Sequence, residues 1–197
     1  MEIPDGYSDI PSGKTASVVT HLQMFQRPPE RPERSDVSWT LRKAGSLSGD
    51  RYRTLFRRIG EDWLWASRLE MSDDELRTVL DDPLYDAYLF EVEGQEEGLA
   101  ELDFRAEGEC EVSFFGLTPA MVGKGAGRWM MNRALRFAWS HPIHRLWVHT
   151  CSLDHPSALD FYIRSGFVPF RRQVEVIDDP RATGLLPREA APQVPLL

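Results

Sequence analysis

The stretch "FFGLTPAMVGKGAGRWMMNRAL", Phe114 through Leu135, runs from apolar strand-like residues into three alternate glycines and then into a helical pattern. Met130, Met131, Ala134, Leu135 and Ala138 recur as one apolar stripe, which predicts a helix over residues 127–139. Gly123, Gly125 and Gly127 stand at its entrance, with Lys124 and Arg128 among them. Glycines let backbone N–H groups crowd towards an anion, and a helix N-terminus adds partial positive charge, so strand, loop and helix together suit a phosphate. A plain turn from strand to helix is the alternative. Two nucleotide motifs fail on spacing. A dinucleotide fingerprint needs its third glycine where Arg128 stands, and a Walker loop needs Ser or Thr after Lys124, where Gly125 stands.

Outward from this loop, the hydrophobic period changes twice. Upstream, "AYLFEVEG", "GLAELDFRA" and "CEVSFFGLT" read as three short strands joined by hairpin connections at "EGQEEG" and "AEGE". Before them, "RYRTLFRRIGEDWLWASRL" has helical spacing broken at Gly60, with Ser46, Ser48 or Asp50 as its cap. "MSDDELRTVLDD" opens with the capping-box pair Ser72 and Glu75. "TASVVTHLQM" and "VSWTLRKA" predict two N-terminal strands, separated by the Pro-rich charged connection "RPPERPERSD". Downstream, "HRLWVHT" is a strand. "DHPSALDFYIRSGF" is a short helix with Pro156 at its first position and Gly166 at its end, and "VPFRRQVEVI" is the closing strand. Residues 179–197 show no periodicity.

The chain of 197 residues carries a formal net charge of −8, which disfavours a general nucleic-acid binder. The charge is uneven. Residues 121–172 hold eight basic and two acidic side chains, whereas residues 70–97 hold eleven acids against Arg77 alone. An anion-friendly half beside a cation-friendly half suits an anionic cofactor meeting a basic co-substrate. Cys110 and Cys151 make neither a disulfide framework nor a metal pattern. Without an apolar run of spanning length or a basic-then-apolar leader, a soluble cytoplasmic protein with no membrane partner is expected.

"GLTPAMVGKGAGRWMMNRAL" followed by "LDHPSALDFYIRSGF" resembles the GNAT superfamily of N-acetyltransferases. Its members carry a Q/R-x-x-G-x-G/A loop and then a segment like N-x-x-A-x-x-[FL]-Y-x-x-x-G-F. Gly125 and Gly127 fall on the loop's signature positions, while Val122 stands where Gln or Arg is usual. Ala158, Phe161, Tyr162, Gly166 and Phe167 match the second segment, and His155 replaces its Asn. The wording of "RYRTLFRRIGEDWLW", "AELD" and "HTCSLDHP" is similar to a bacterial branch of unassigned substrate.

The resemblance implies an α/β GNAT fold, a mixed and mostly antiparallel twisted sheet flanked by helices, with an extra N-terminal strand. It divides the chain into an extension (1–36), an acetyltransferase domain (37–178) and a tail (179–197). It implies acetyl transfer from acetyl-CoA to a primary amine of a small molecule or peptide, by direct attack in a ternary complex and without a metal. A non-catalytic acyl-CoA-binding regulatory module on the same fold is the alternative. The loop Val122, Gly123, Lys124, Gly125, Ala126, Gly127 and Arg128 would wrap the pyrophosphate. His155 and Ala158 would lie near the pantetheine arm. Phe115 and Leu117 lie on the strand that splays from its neighbour, with the Leu117 N–H polarising the thioester carbonyl. Tyr162 would protonate the leaving thiolate.

Glu111 is the first candidate for general base, eleven positions before Val122, with Glu101, Asp103 and His149 as alternatives. Direct attack needs no covalent intermediate, so Cys151 reads as a buried thiol. Tyr52, Phe56, Trp63 and Trp65 offer aromatic surface to the acceptor, or else form core. The acids of residues 70–97 offer a field for a cation, or else a solvated face. A homodimer is also compatible, through the strand at residues 15–24 or the tail.

Overall fold

The computed structural model describes residues 5–45 and 47–197. Seven strands are present: β1 (Lys14–Met24), β2 (Trp39–Lys43), β3 (Tyr85–Val92), β4 (Gln95–Asp103), β5 (Glu109–Leu117), β6 (Arg145–Cys151) and β7 (Val168–Asp178). Five helices accompany them: α1 (Gly49–Gly60), α2 (Ser67–Glu70), α3 (Asp73–Leu80), α4 (Ala126–Ala138) and α5 (Ala158–Arg164). The strands form one sheet in the order β2-β3-β4-β5-β6-β1-β7. Every neighbouring pair is antiparallel except β5 and β6. A parallel pair needs a crossover, and α4 supplies it.

Local signals explain most boundaries. Ser48 caps α1, its side chain accepting from the Arg51 N–H at 3.4 Å, while Asp50 sits in the first turn. Ser46 lies outside the described residues. Helix α1 ends at Gly60, and a single 3₁₀ turn (Glu61–Trp63) follows. Ser72 and Glu75 form a reciprocal capping box at α3. The β3–β4 hairpin turns on Glu93 and Gly94, both at positive φ, the geometry a two-residue hairpin turn requires. Two boundaries differ from expectation: Gln95–Gly98 of the expected "EGQEEG" connection belong to β4, and α5 starts at Ala158, so Pro156 precedes the helix instead of opening it.

Each face of the sheet has its own core. On one, Met130, Met131 and Leu135 of α4 pack against Leu22, Leu102, Val112, Leu146 and Val148. On the other, Tyr52, Leu55, Phe56 and Ile59 of α1 pack against Leu89 and Leu99. Residues Tyr85 to Phe90 of β3 are therefore buried without a break, because helices cover both faces there. Strand β1 does not sit at the margin. It lies between β6 and β7, pairing from Val19↔Cys151 to Met24↔Leu146 on one side and along nearly all of β7 on the other.

The aperiodic segment after β7 is also packed. Leu186, Ala190 and Ala191 belong to the α1 core. Arg181, 3% exposed, pairs with Asp179 at 2.7 Å and donates to the carbonyls of Ala190, Ala191 and Val194. One guanidinium thus replaces the regular hydrogen bonding that the segment lacks. Arg181→Ala leaves a buried carboxylate and three carbonyls without their donor. It is expected to cost about 3 kcal/mol in reversible urea unfolding. A loss below about 0.5 kcal/mol, the range of an ordinary surface change, would remove Arg181 from this role.

Candidate active site

Strands β5 and β6 are paired only from Glu109↔Arg145 to Val112↔Val148. At the next residue the β4–β5 register shifts: Leu102 faces Val112 but Glu101 faces Phe114, so Ser113 is an extra residue on β5. Such a bulge bends its strand, and here it turns β5 away from β6. Beyond it, the edge of β5 that would face β6 has no strand partner. The Thr118 N–H donates to the Glu97 carbonyl on the β4 side at 2.9 Å. Backbone N–H groups alternate between strand edges, so the Leu117 N–H points to the opening.

The opening belongs to a cleft of about 1200 Å³. At one end lies the glycine loop. Gly123 and Gly125 hold φ of 78° and 87°, and a Cβ at either would meet nothing within 4 Å. Gly125 is the N-cap of α4 and offers no side-chain cap, so the first N–H groups of the helix are left uncapped among the described residues. The buried Nε of Arg128 likewise has no partner among the described residues. Open space, uncapped N–H groups and an unpartnered guanidinium fit a phosphate group. Gly127 has a different task, since a Cβ there would lie 3.5 Å from Phe161. Val122, Gly123, Gly125, Gly127 and Arg128 line the cleft, whereas Ala126 is buried in the core and Lys124 is exposed outside it.

In the middle of the cleft, Phe115 stacks on Phe161 with centroids 5.6 Å apart and meets Tyr162 at 6.5 Å. Tyr162 is 7% exposed. Burial, then the nearby Asp154 carboxylate, push its hydroxyl well above the usual phenol range, so it keeps its proton. Ala158 and Leu117 line this region as well. His155 accepts from the Ser157 N–H at 3.1 Å and packs edge-on to Trp63. Gly116 leaves room for Ile59 and Trp65, which a Cβ there would meet at 2.3 and 2.9 Å.

At the far end, Glu111 and His149 come together across the β5–β6 pair, with Oε1 and Nδ1 3.1 Å apart. The four candidate bases separate here. Glu101 is 0% exposed and receives the hydroxyls of Tyr52 and Tyr85 together with Arg68, so it cannot reach a substrate. Sequence alternation placed it on one face with Asp103, but α1 and α2 cover that part of the face. Asp103 lines the cleft but is held by Arg105. Glu111 and His149 line the cleft as a pair.

Two further expectations are corrected. Tyr52 and Phe56 are fully buried, so of these four aromatics Trp63 and Trp65 alone line the cleft. Of the acids in residues 70–97, only Glu70 lines it. Asp86 pairs with Lys43, Glu91 and Glu96 with Arg42, and Glu97 with Arg58. The carboxylates that do face the cleft are Glu70, Asp103, Glu111, Asp154, Glu175 and Asp178, gathered from α2, β4, β5, the turn after β6, and β7. No local charge run signals that gathering. Cys151 also lines the cleft, and burial raises its thiol, which makes it a poor nucleophile.

Comparison with known proteins accords with this geometry. Residues 52–167 match the sequence profile of the Acetyltransferase (GNAT) family, and the chain belongs to that family. Members of this family use acetyl-CoA. No curated protein matches. Among solved structures, the fold is similar to a GCN5-related N-acetyltransferase from Sphaerobacter thermophilus (13% identity, 86% of this chain and 53% of that one, TM-score 0.61). It is also similar to a functionally unknown conserved protein from Staphylococcus epidermidis (13% identity, 85% and 63%, TM-score 0.55). A third is spermidine N-acetyltransferase from Vibrio cholerae (21% identity, 74% and 98%, TM-score 0.55). The chain thus spans between half and two thirds of the first two relatives. No helix among the described residues is long and apolar enough to cross a membrane.

The Glu111 contact raises the His149 imidazole above its ordinary 6.5, against the opposing effect of burial. A raised folded-state value means that the pair's contribution is complete below about pH 6.5 and is lost as pH rises through the folded pKa. NMR titration is expected to place His149 above 6.5 in the wild type and lower it in Glu111→Gln. An unchanged midpoint in that variant would break the link.

Proposed function

We propose that the protein transfers the acetyl group of acetyl-CoA to the primary amine of a small molecule or peptide, by direct attack within a ternary complex. One observation carries this: in a chain of the GNAT family, the opening between β5 and β6 joins an uncapped helix N-terminus to a carboxylate–imidazole pair, with a buried tyrosine between them.

Acetyl-CoA supplies an activated acyl group as a thioester. The N–H groups of residues 123–128, with Arg128, hold its pyrophosphate. The pantetheine arm lies along the free edge of β5, beside Phe115, Ala158 and His155. The Leu117 N–H donates to the thioester carbonyl oxygen and stabilises the charge that develops there. The amine nitrogen bonds to the carbonyl carbon and the carbon–sulfur bond breaks. Glu111, with His149 beside it, takes the proton that the amine gives up, and the Tyr162 hydroxyl donates to the departing sulfur. Because Tyr162 is held protonated, it can act as an acid throughout the neutral range.

Glu70, Asp154 and Glu175 around the far end of the cleft favour an acceptor that arrives as a cation. Trp63 and Trp65 provide faces for its apolar portion. The Vibrio cholerae relative, a spermidine N-acetyltransferase solved with CoA and spermine, acts on an amine of that class. Polyamines therefore belong in the first panel of acceptors, beside aminoglycosides and peptide N-termini.

The test is thiol release from acetyl-CoA across such a panel. Turnover is expected with at least one cationic amine. Tyr162→Phe should lower kcat by about 10²-fold with little change in KM for acetyl-CoA, and Glu111→Gln by a similar factor. With Glu111 and His149 acting as one proton acceptor, kcat/KM should rise with pH through the raised His149 midpoint. CoA binding without turnover of any amine would point to a regulatory acyl-CoA-binding module instead.

A further inference from the structure

Residues 27–34, "RPPERPER", lie outside the matched family region and form no helix or strand. The run is nonetheless fixed in place. Proline restricts φ and favours an extended chain with about three residues per turn, so Glu30 and Glu33 share one side and Arg31 takes another. Glu30 pairs with Arg136 and Glu33 with Arg133, both on α4, at 2.9 and 2.7 Å. Asn132, 2% exposed, accepts from the Arg31 N–H at 3.2 Å and donates to the Arg31 carbonyl at 2.8 Å. Pro28 packs on Gly166 at the end of α5, where a Cβ would lie 3.2 Å from it. The segment is a strap across α4 and α5.

The strap satisfies two arginines of α4 and adds a third that it does not satisfy. Arg31 enters the cleft beside Arg128 of α4 and Arg164 of α5. Neither Arg31 nor Arg128 has a carboxylate partner among the described residues, and Arg164 has only Asp160 at 3.8 Å. The Arg31 guanidinium is held by a single 3.3 Å bond to Ser165 Oγ. Burial and the two neighbouring guanidiniums hold it below the usual arginine range. Three like charges converging on one cavity repel each other, and the arrangement is favourable only with an anion between them. Asn132, which anchors the Arg31 backbone, stands six residues beyond Ala126, about 9 Å further along the axis of α4, so Arg31 approaches the cleft from beyond the glycine loop.

We infer that Arg31 and Arg164, with Arg128 at their side, form a second phosphate site that holds the ribose 3′-phosphate of CoA, with the N-terminal strap supplying its central residue. This rests on the acetyl-CoA reading of the cleft. The 3′-phosphate is the one phosphate of CoA apart from the pyrophosphate, and its charge of about −2 calls for more than one guanidinium.

Isothermal titration of the full chain with CoA and with 3′-dephospho-CoA tests the assignment. Wild-type protein is expected to bind CoA at least ten-fold more tightly than 3′-dephospho-CoA. Arg31→Ala and Arg164→Ala should each weaken CoA several-fold and leave 3′-dephospho-CoA unchanged, with Arg31→Lys restoring part of the difference. Arg34→Ala, which removes only an exposed pair with Asp36, should alter neither. Equal wild-type affinity for the two ligands, or equal weakening of both by Arg31→Ala, would overturn the 3′-phosphate site while leaving the acetyl-CoA reading intact. Binding of neither ligand would overturn both. Thermal unfolding of each variant separates loss of the site from loss of the fold.

Discussion

After four paired positions, β5 and β6 stop hydrogen bonding to each other, and the functional architecture depends on that break. Interior strands seldom leave backbone N–H and C=O groups without partners, because unpaired polar groups are costly once water is excluded. The extra residue Ser113 bends β5 at the point where the ladder ends. The opening exposes the Leu117 N–H and gives an extended ligand room to lie between the strands. Because β5 and β6 are parallel, their connection must pass through a crossover helix, whose N-terminus falls beside the opening. The uncapped N-terminus of α4 and the free strand edge are therefore consequences of one topological fact.

Around this opening the chain is assembled from distant parts. Strand β1 bridges β6 and β7, so the wall opposite β5 is built partly from the N-terminus. The strap that follows β1 crosses α4 and α5 and brings Arg31 into the lining of the cleft. The segment after β7 returns to the α1 core, tied by Arg181. Strand β7 itself is exposed along nearly its whole length, with Arg171, Arg172 and Glu175 along an edge strand. Charged side chains on such a strand disfavour further strand pairing.

Charge balance shows how poorly a run of like residues predicts a field. The acids of residues 70–97 looked like a cation-attracting patch, yet most are matched by Lys43, Arg42, Arg51 and Arg58 or occupy the first turn of α3. The carboxylates that line the cleft are drawn instead from five segments far apart in the chain. Glu101 is sealed under Tyr52 and Tyr85. Asp103, two residues further on, reaches the cleft.

The sequence by itself determined what depends on near neighbours. The stripe of α4, the Ser72–Glu75 capping box and the glycines at 123 and 125 that open α4 all follow from spacing, because backbone sterics and helical period act over a few residues. The loop and Tyr162 motifs carried the family for the same reason. Only the tertiary structure decided which candidate base stands free, since Glu111 meets His149 from 38 positions away. It also turned the Pro-rich connection into part of a binding cleft, through contacts between residues about 100 positions apart. Those outcomes rest on how the sheet stacks its strands and which faces the helices cover. Long-range pairing of that kind leaves no period in the chain.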